Sequence, residues 1–271
     1  ADYEVIEEYI DDSASEGSSD SEYMPSEDEL EKETDRNNKT KRGNDTPYRD
    51  IAMSRQANRE LALLIENYDD EYYRPYWYKP IDWKAVKELI DKGASPNVKN
   101  EKGFALMHFA AMESDTAHAI MLLEKRADPN ATSQNGETPL FIAIQQNDQL
   151  AKLLIDKGAN PNIQNQYGNT PIFVAVMYSD ANMTELLLKK GADPNVTNNM
   201  GDTPLHKAHA GNRIYPTIVK LLLQYGAGAD IQGESGITPL RIAVQQGTID
   251  GVELLLQAGA DPNRTDDNGY T

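Results

Sequence analysis

The 271-residue sequence contains no cysteine. Neither a disulfide framework nor a cysteine-based zinc site can therefore form, and the reducing cytoplasm is a permissive location for such a chain. The sequence also lacks any apolar run that approaches the roughly 18 residues of a membrane-spanning helix. We therefore expect a cytoplasmic protein with no membrane partner.

Signatures of catalysis are missing as well. No glycine-rich phosphate loop follows a strand, and no serine lies in a nucleophile elbow. His206 and His209 are three residues apart, but no acidic or cysteine partner stands at the spacing of a zinc ligand. We expect no enzymatic activity within this chain, and no cofactor, metal or small-molecule substrate.

The net charge of −18 is unevenly distributed. Residues 1–35 contain 15 Asp and Glu and a single base, Lys32, whereas the rest of the chain has 29 acids and 25 bases. The repetitive part has no basic stripe that could neutralise phosphates, so we expect no nucleic-acid partner. Residues 1–46 are acidic and rich in serine, and we expect them to be a disordered tail because they offer little apolar surface to bury.

One motif, G-x-T-P-L, is present in several copies. The intervals between its glycines are 33, 32, 33, 35 and 33 residues. Self-similarity at this period predicts stacked units, each made of a few secondary-structure elements. The copies begin at Gly136, Gly168, Gly201 and Gly236, with a degraded copy at Gly103 and an incomplete one at Gly269.

Each copy can be interpreted as two helices and a connection. The threonine hydroxyl is expected to cap the first helix. The proline fits the first helical position, because a backbone N–H there has no partner within the helix and its absence costs nothing. A second helix carries a run of leucines and ends at a glycine in a left-handed conformation. The next segment, which we call a finger, resembles a β-hairpin and leads into the following unit. The predicted caps are Thr138, Thr170, Thr203 and Thr238, and the helix-ending glycines are Gly158, Gly191, Gly226 and Gly259.

The combined pattern G-x-T-P-L-H-x-A, L-L-L and G-A-D-x-N resembles the ankyrin repeat over about residues 81–271. The resemblance implies a mainly α fold, a solenoid of stacked helix pairs with β-hairpin-like fingers. It also implies that His108 and His206 form hydrogen bonds within the scaffold. Phe141, Phe173 and Arg241 replace this histidine in other copies. The D-P-N form of the turn is similar to that of ankyrin proteins from intracellular bacteria.

The same spacing predicts the division of the chain. After the tail at 1–46, residues 47–99 form an irregular N-terminal repeat or cap with a helix at about 48–67. An aromatic loop at 72–78 is inserted in it, either as a lid over the first helix pair or as a second binding patch. Because the chain stops inside a motif, we expect the natural protein to be longer. Five repeats follow the cap at 100–132, 133–164, 165–197, 198–232 and 233–265, and residues 266–271 begin a truncated further repeat.

By this resemblance the chain is a module that binds a partner protein on the concave face formed by the fingers and first helices. The likeness to ankyrin proteins of intracellular bacteria implies a part of a bacterial effector delivered into a host cytoplasm or nucleus. One alternative is a targeting arm of a larger enzyme with its catalytic domain beyond Thr271. Another is that the acidic tail masks or binds a basic partner. The predicted partner-binding residues are mostly amides, aromatics and methionines: Phe104, Met112, Gln134, Asn135, Gln145, Gln146, Gln166, Tyr167, Asn169, Met177, Tyr178, Asn199, Met200, Asp202, Ile237, Gln245 and Gln246.

Overall fold

The structure, a computed structural model, describes residues 46–66, 80–208 and 215–271. Residues 1–45 of the predicted tail at 1–46, the aromatic loop at 72–78 and His209 lie outside these residues; Thr46, the last residue of that tail, begins a helix. Pro47–Thr271 is one compact unit.

Within the described residues the chain is helical, with no strand longer than an isolated bridge between Lys99 and Ala105. The first helix occupies nearly the range predicted for it, and a helix pair follows each of the five copies of the motif from Gly103 to Gly236. The helices are α1 Thr46–Glu66, α2 Trp83–Asp91, α3 Leu106–Met112, α4 Thr116–Glu124, α5 Pro139–Gln146, α6 Asp148–Asp156, α7 Pro171–Met177, α8 Ala181–Lys189, α9 Pro204–Lys207, α10 Pro216–Gln224, α11 Pro239–Gln245 and α12 Ile249–Gln257, with a 3₁₀ turn at Glu234–Gly236.

The leucine runs of the second helices form the core of the stack. The middle residue of each run is fully buried, as at Leu154, Leu187 and Leu222. Burying such a side chain contributes roughly 1.5–3 kcal/mol, and here it is covered by neighbouring units rather than by its own helix pair alone. The stack of units, rather than the single unit, is therefore what folds. This confirms the predicted helical solenoid.

The ends of the second helices also agree with the sequence. Gly158 and Gly191 have φ angles of +94° and +88°, the left-handed conformation that the sequence predicts. Arg126 occupies the equivalent position in the first full repeat and adopts φ +66° despite its side chain. This repeat therefore contains a strained helix end that the others avoid.

The threonine caps are only partly as predicted. All four threonines stand in extended backbone directly before a first helix, but only the Thr238 hydroxyl accepts a hydrogen bond from the helix, from Arg241 N at 3.3 Å. The Thr203 hydroxyl instead contacts Nδ1 of His206 at 2.8 Å. Among the described residues, the buried hydroxyls of Thr138 and Thr170 have no partner. At the position equivalent to His206 these two units have phenylalanine, whose ring carries no nitrogen that could accept a hydrogen bond from the hydroxyl.

The turn after each second helix is joined to the same turn of the next repeat by an asparagine. We call Asn130, Asn162 and Asn195 the asparagine ladder. Oδ1 of Asn162 accepts the N–H of Asp193 at 2.8 Å, and its Nδ2 donates to the carbonyl of Gly191 at 2.9 Å. Asn130 and Asn195 make the same two bonds to the next unit. The asparagine of the D-P-N turn therefore has a structural role, which is to join each unit to the next one.

Candidate functional site

Each finger is a tight turn closed by two backbone hydrogen bonds. In the third repeat, Asn165 N donates to Asn169 O at 2.9 Å and Gly168 N donates to Asn165 O at 2.8 Å. The fingers that begin at residues 100, 133, 198, 233 and 266 have the same pair of bonds. The fingers are thus similar rigid turns, and they differ mainly in the side chains at their tips.

A side chain at the start of most fingers stabilises the tip. Oδ1 of Asn165 accepts the N–H groups of Tyr167 and Asn169 at 3.0 and 3.1 Å. Asn100, Asn198 and Asp266 make equivalent pairs of bonds. This function was not predicted from the sequence, although its signal is visible there as an Asn or Asp three residues before the finger glycine.

Neighbouring tips are also bonded to each other, and together they form what we call the finger row. Gln166 N donates to Asn135 O at 2.7 Å, and Asn199 N donates to Tyr167 O at 3.0 Å. The Asn199 side chain adds a bond from Nδ2 to Gln166 O at 2.8 Å. The row is therefore held in one conformation before any partner arrives, which reduces the entropy lost on binding.

The two buried histidines belong to the scaffold beneath this row. Nδ1 of His108 accepts the Ala105 N–H at 3.0 Å, so the proton is on Nε2, which donates to Glu137 O at 3.0 Å. His206 makes the same contacts to Thr203 and Ile237. Burial lowers the pKa of His108 to about 4, and it lowers that of His206 as well. Both rings are neutral structural links between a repeat and the next finger.

Arg241 replaces the histidine in the last repeat and preserves the link. Its NH1 donates to Tyr270 O at 2.8 Å, the position equivalent to Ile237 O for His206. Its NH2 also pairs with the buried Asp266 at 3.0 Å. No group of three or more His, Cys, Asp or Glu side chains arranged to hold a metal exists in the part of the chain that the structure describes.

The predicted partner-binding residues fall into three classes of exposure. Most amides and the large apolar side chains at the tips are exposed, whereas a few contribute to packing. The exposed ones are Gln134, Asn135, Gln146, Gln166, Tyr167, Met177, Tyr178, Asn199, Met200 and Gln245; the half-buried ones are Met112, Gln145, Asn169, Ile237 and Gln246; the buried ones are Phe104 and Asp202.

The expectation that Phe104 is a surface residue is wrong. Its side chain is only 3% exposed, and its ring lies 5.4 Å from that of His108 and 6.1 Å from that of Phe109. Packing against other rings is energetically more favourable for an aromatic side chain than exposure to solvent. Met112 also packs against the core. Neither side chain stands free at the finger row.

Asp202 is likewise buried, at 8% exposure, rather than displayed. Burial raises the pKa of this carboxyl, but hydrogen bonds from the Lys207 ammonium and from the Glu234 N–H outweigh it, so the pKa is lowered. The bond from Glu234 N, 3.2 Å long, takes the place of the backbone bond that the equivalent N–H groups of Gln166 and Asn199 make to the preceding tip. Asp202 therefore joins two fingers and is not available to a partner.

Four exposed side chains near the middle of the row form what we call the central patch: Tyr167, Met177, Tyr178 and Met200. They are 60%, 63%, 58% and 49% exposed. Tyr167 and Met200 lie on adjacent tips, and Met177 and Tyr178 end the helix that follows the Tyr167 finger. The Tyr178 hydroxyl donates to Oε1 of Gln145 at 3.1 Å, which orients its ring. Core packing requires none of these four side chains to be apolar.

The family model described as "Ankyrin repeats (3 copies)" matches residues 81–165, 107–198, 146–234 and 172–266, which together cover more than half of the chain. The chain belongs to the ankyrin-repeat family. Its first-helix and finger surfaces are therefore the surfaces of an ankyrin array, a class of module that generally binds other proteins. The fold is one on which catalysis is generally not performed.

Similar proteins come from several kingdoms. The E3 ubiquitin-protein ligase KEG of Arabidopsis thaliana is 29% identical over 200 residues, which are 68% of this chain and 12% of the ligase. An ankyrin repeat-containing protein of Schizosaccharomyces pombe is 35% identical over 68 residues, 24% of this chain and 33% of that protein. The chain thus spans a third or less of these relatives. The crystal structure of an ankyrin repeat domain from Acinetobacter baumannii has a TM-score of 0.62 at 30% identity, over 66% of this chain and 94% of that one.

The centre of the ankyrin finger row carries no exposed charged side chain. The tips of the second, third and fourth repeats present Gln134, Asn135, Gln166, Tyr167, Asn199 and Met200. No helix in the described ranges is long and apolar enough to cross a bilayer. The candidate site is therefore a rigid, uncharged surface with exposed aromatic and methionine side chains.

Proposed function

We propose that this ankyrin array captures a partner protein on its finger row, and that the central patch supplies most of the binding energy. The observation that carries the proposal is the exposure of two tyrosines and two methionines on a row of uncharged amides. Aromatic residues and methionine are enriched, and charges depleted, at the centres of protein interfaces.

The magnitude of the effect follows from the chemistry of the patch. Large, well-oriented aromatic side chains at the centre of an interface typically lose about 2 kcal/mol or more when truncated to alanine. Truncating two tyrosines and one methionine of the patch should weaken binding by at least about a hundredfold. The backbone of the row should not change, because its bonds do not involve these side chains.

The test is to capture partners with the whole chain, identify them by mass spectrometry and measure the affinity of the purified pair. The variant Tyr167→Ala/Met177→Ala/Tyr178→Ala should lose at least a hundredfold in affinity while its thermal melting curve stays close to that of the parent. The matched control changes three exposed apolar residues of the second-helix side, Ile120→Ala/Tyr225→Ala/Ile249→Ala, and should bind normally. Equal affinity of all three proteins would refute the proposal.

The acidic tail is a second candidate because 15 of the first 35 residues are acidic. Binding by such a tail would be electrostatic and would weaken steeply with salt. A form without residues 1–46, compared with the full chain over a salt series, separates the two surfaces. Binding through the central patch should persist without the tail.

The proposal extends to location. The D-P-N turn and the similarity to a bacterial ankyrin domain support an effector that acts in a host cytoplasm or nucleus. The alternative is a targeting arm attached to an enzyme, since one similar protein is a much longer ligase. A translocation reporter fused to the chain tests the effector interpretation, and absence of the reporter from host cells would contradict it. Sequencing the whole gene tests the alternative, which an encoded catalytic domain would support.

A further inference from the structure

We propose that the partner docks through a segment that is apolar and uncharged in its middle and basic at both ends. This inference rests on the proposed function, because it concerns the same finger row. It adds the chemistry of the partner, which follows from how charge and free polar groups are distributed along the row.

The middle of the row selects for uncharged groups. The central patch presents apolar surface, and the exposed carboxamides of Asn135 and Gln166 have no side-chain partner among the described residues. A carboxamide offers both a donor and an acceptor, which matches a peptide group. A charged side chain placed here would lose hydration without gaining an opposite charge. The occupant of the middle should therefore be an apolar side chain flanked by peptide backbone.

The ends of the row carry exposed acids. Glu101 is exposed on the first finger, and its N–H donates to Oε1 of Glu66 at 3.2 Å, which holds a second carboxylate at this tip. Glu234 and Asp267 are exposed on the last two fingers. Each end is thus suited to a basic residue.

Two bases near the C-terminal half of the row are already engaged. The Lys207 ammonium is 2.8 Å from Asp202, and the Arg241 guanidinium is 3.0 Å from Asp266. These pairs neutralise Asp202 and Asp266 and leave Glu234 and Asp267 as the exposed acids of the last two fingers. Outside residues 1–35 the chain has 29 acids and 25 bases, so the array adds a weak long-range preference for a basic partner.

The spacing of the repeats sets the length of the segment. Packed helices lie roughly 8–10 Å apart, so the four steps from Glu101 on the first finger to Glu234 on the fifth span about 35 Å. An extended chain rises about 3.3 Å per residue, so roughly 10–12 residues cover this distance. The apolar anchor should stand near the middle, with Lys or Arg about five residues to each side.

The two parts of the row should affect different rate constants. Exposed charges accelerate association and are screened by salt, whereas buried apolar contacts slow dissociation. Neutralising the end acids should therefore reduce the association rate several-fold with little change in dissociation. Truncating the central patch should do the opposite.

The experiment selects a phage-displayed library of random dodecapeptides on the full chain at low salt. We expect enriched peptides with an apolar centre and Lys or Arg at both ends. Synthetic versions are then measured by surface plasmon resonance against two variants. Glu101→Gln/Glu234→Gln/Asp267→Asn should lower the association rate about three- to tenfold, and the Tyr167, Met177 and Tyr178 triple alanine variant should raise the dissociation rate at least tenfold.

A matched control neutralises exposed acids on the second helices, Glu88→Gln/Glu124→Gln/Glu253→Gln, and should leave both rates within about twofold. Enrichment of acidic or neutral ends, an association rate insensitive to the end acids, or no enrichment at all would overturn the inference. The proposed function fails separately, if the triple alanine variant still captures protein partners as well as the parent.

Discussion

Removing the unpartnered hydroxyl of Thr138 should stabilise the protein, although a threonine before a helix usually contributes to stability through its hydroxyl. This hydroxyl is fully buried and has no partner within the described chain, because Phe141 stands where a histidine could accept its proton. A buried hydroxyl without a hydrogen bond costs about 1–3 kcal/mol. Thr138→Val keeps the shape and suits the extended backbone at φ −92° and ψ 164°. We expect the variant to be more stable by about 1 kcal/mol or more.

Thr203→Val is the matched control, because its hydroxyl does have a partner. It lies 2.8 Å from Nδ1 of His206, and losing this bond should destabilise the protein by about 1 kcal/mol. Each kcal/mol corresponds to roughly 2–4 °C in a domain of this size, so the two melting temperatures should move in opposite directions. Thermal and urea unfolding followed by circular dichroism at pH 7 measure this. If Thr138→Val lowers stability as much as Thr203→Val does, the reasoning is refuted.

Two further predictions concern single residues. The pKa of His108 is about 4 in the folded protein against an ordinary 6.5, so the unfolded chain binds the proton more readily. The contribution of the neutral His108 ring to the free energy of unfolding should therefore be fully present above pH 6.5. It should fall by on the order of 3 kcal/mol as the pH drops toward 4. Urea titrations at several pH values should show this slope, and it should flatten in His108→Phe, a change that Phe141 shows the array accepts. Because Arg126 has φ +66°, Arg126→Gly should raise the stability by about 1 kcal/mol. Gly158→Ala, at φ +94°, should lower it by a similar amount. A melting temperature lowered by Arg126→Gly would contradict the strain argument.

The repeated motif predicted the helices well because its signals are local. Proline marks the start of a first helix, glycine marks the end of a second one, and the leucine run marks the buried face. Each of these depends on a few consecutive residues and on backbone geometry. The positive φ angles at Gly158 and Gly191 are the clearest case.

The partners of polar side chains were harder to predict because they come from the neighbouring repeat. Asn162 bonds to residues 29 and 31 positions away, and Asp202 reaches Glu234 across 32 positions. The repeat pattern aligns such positions but does not show which atoms meet. For the same reason Phe104, which aligns with tip residues, was expected on the surface although its ring turns into the core. The roles of the exposed tip residues remain predictions.

The asparagine ladder continues to a joint that has fewer hydrogen bonds. Asp230 stands at the ladder position between the last two repeats, and it accepts the Asp261 N–H at 2.9 Å as an asparagine would. A carboxylate has no N–H to donate to the carbonyl of Gly259, so this joint has one hydrogen bond fewer than the joints made by Asn130, Asn162 and Asn195. Heat or a pulling force should thus open this joint before the joints made by Asn130, Asn162 and Asn195, while the part that bears the central patch stays folded.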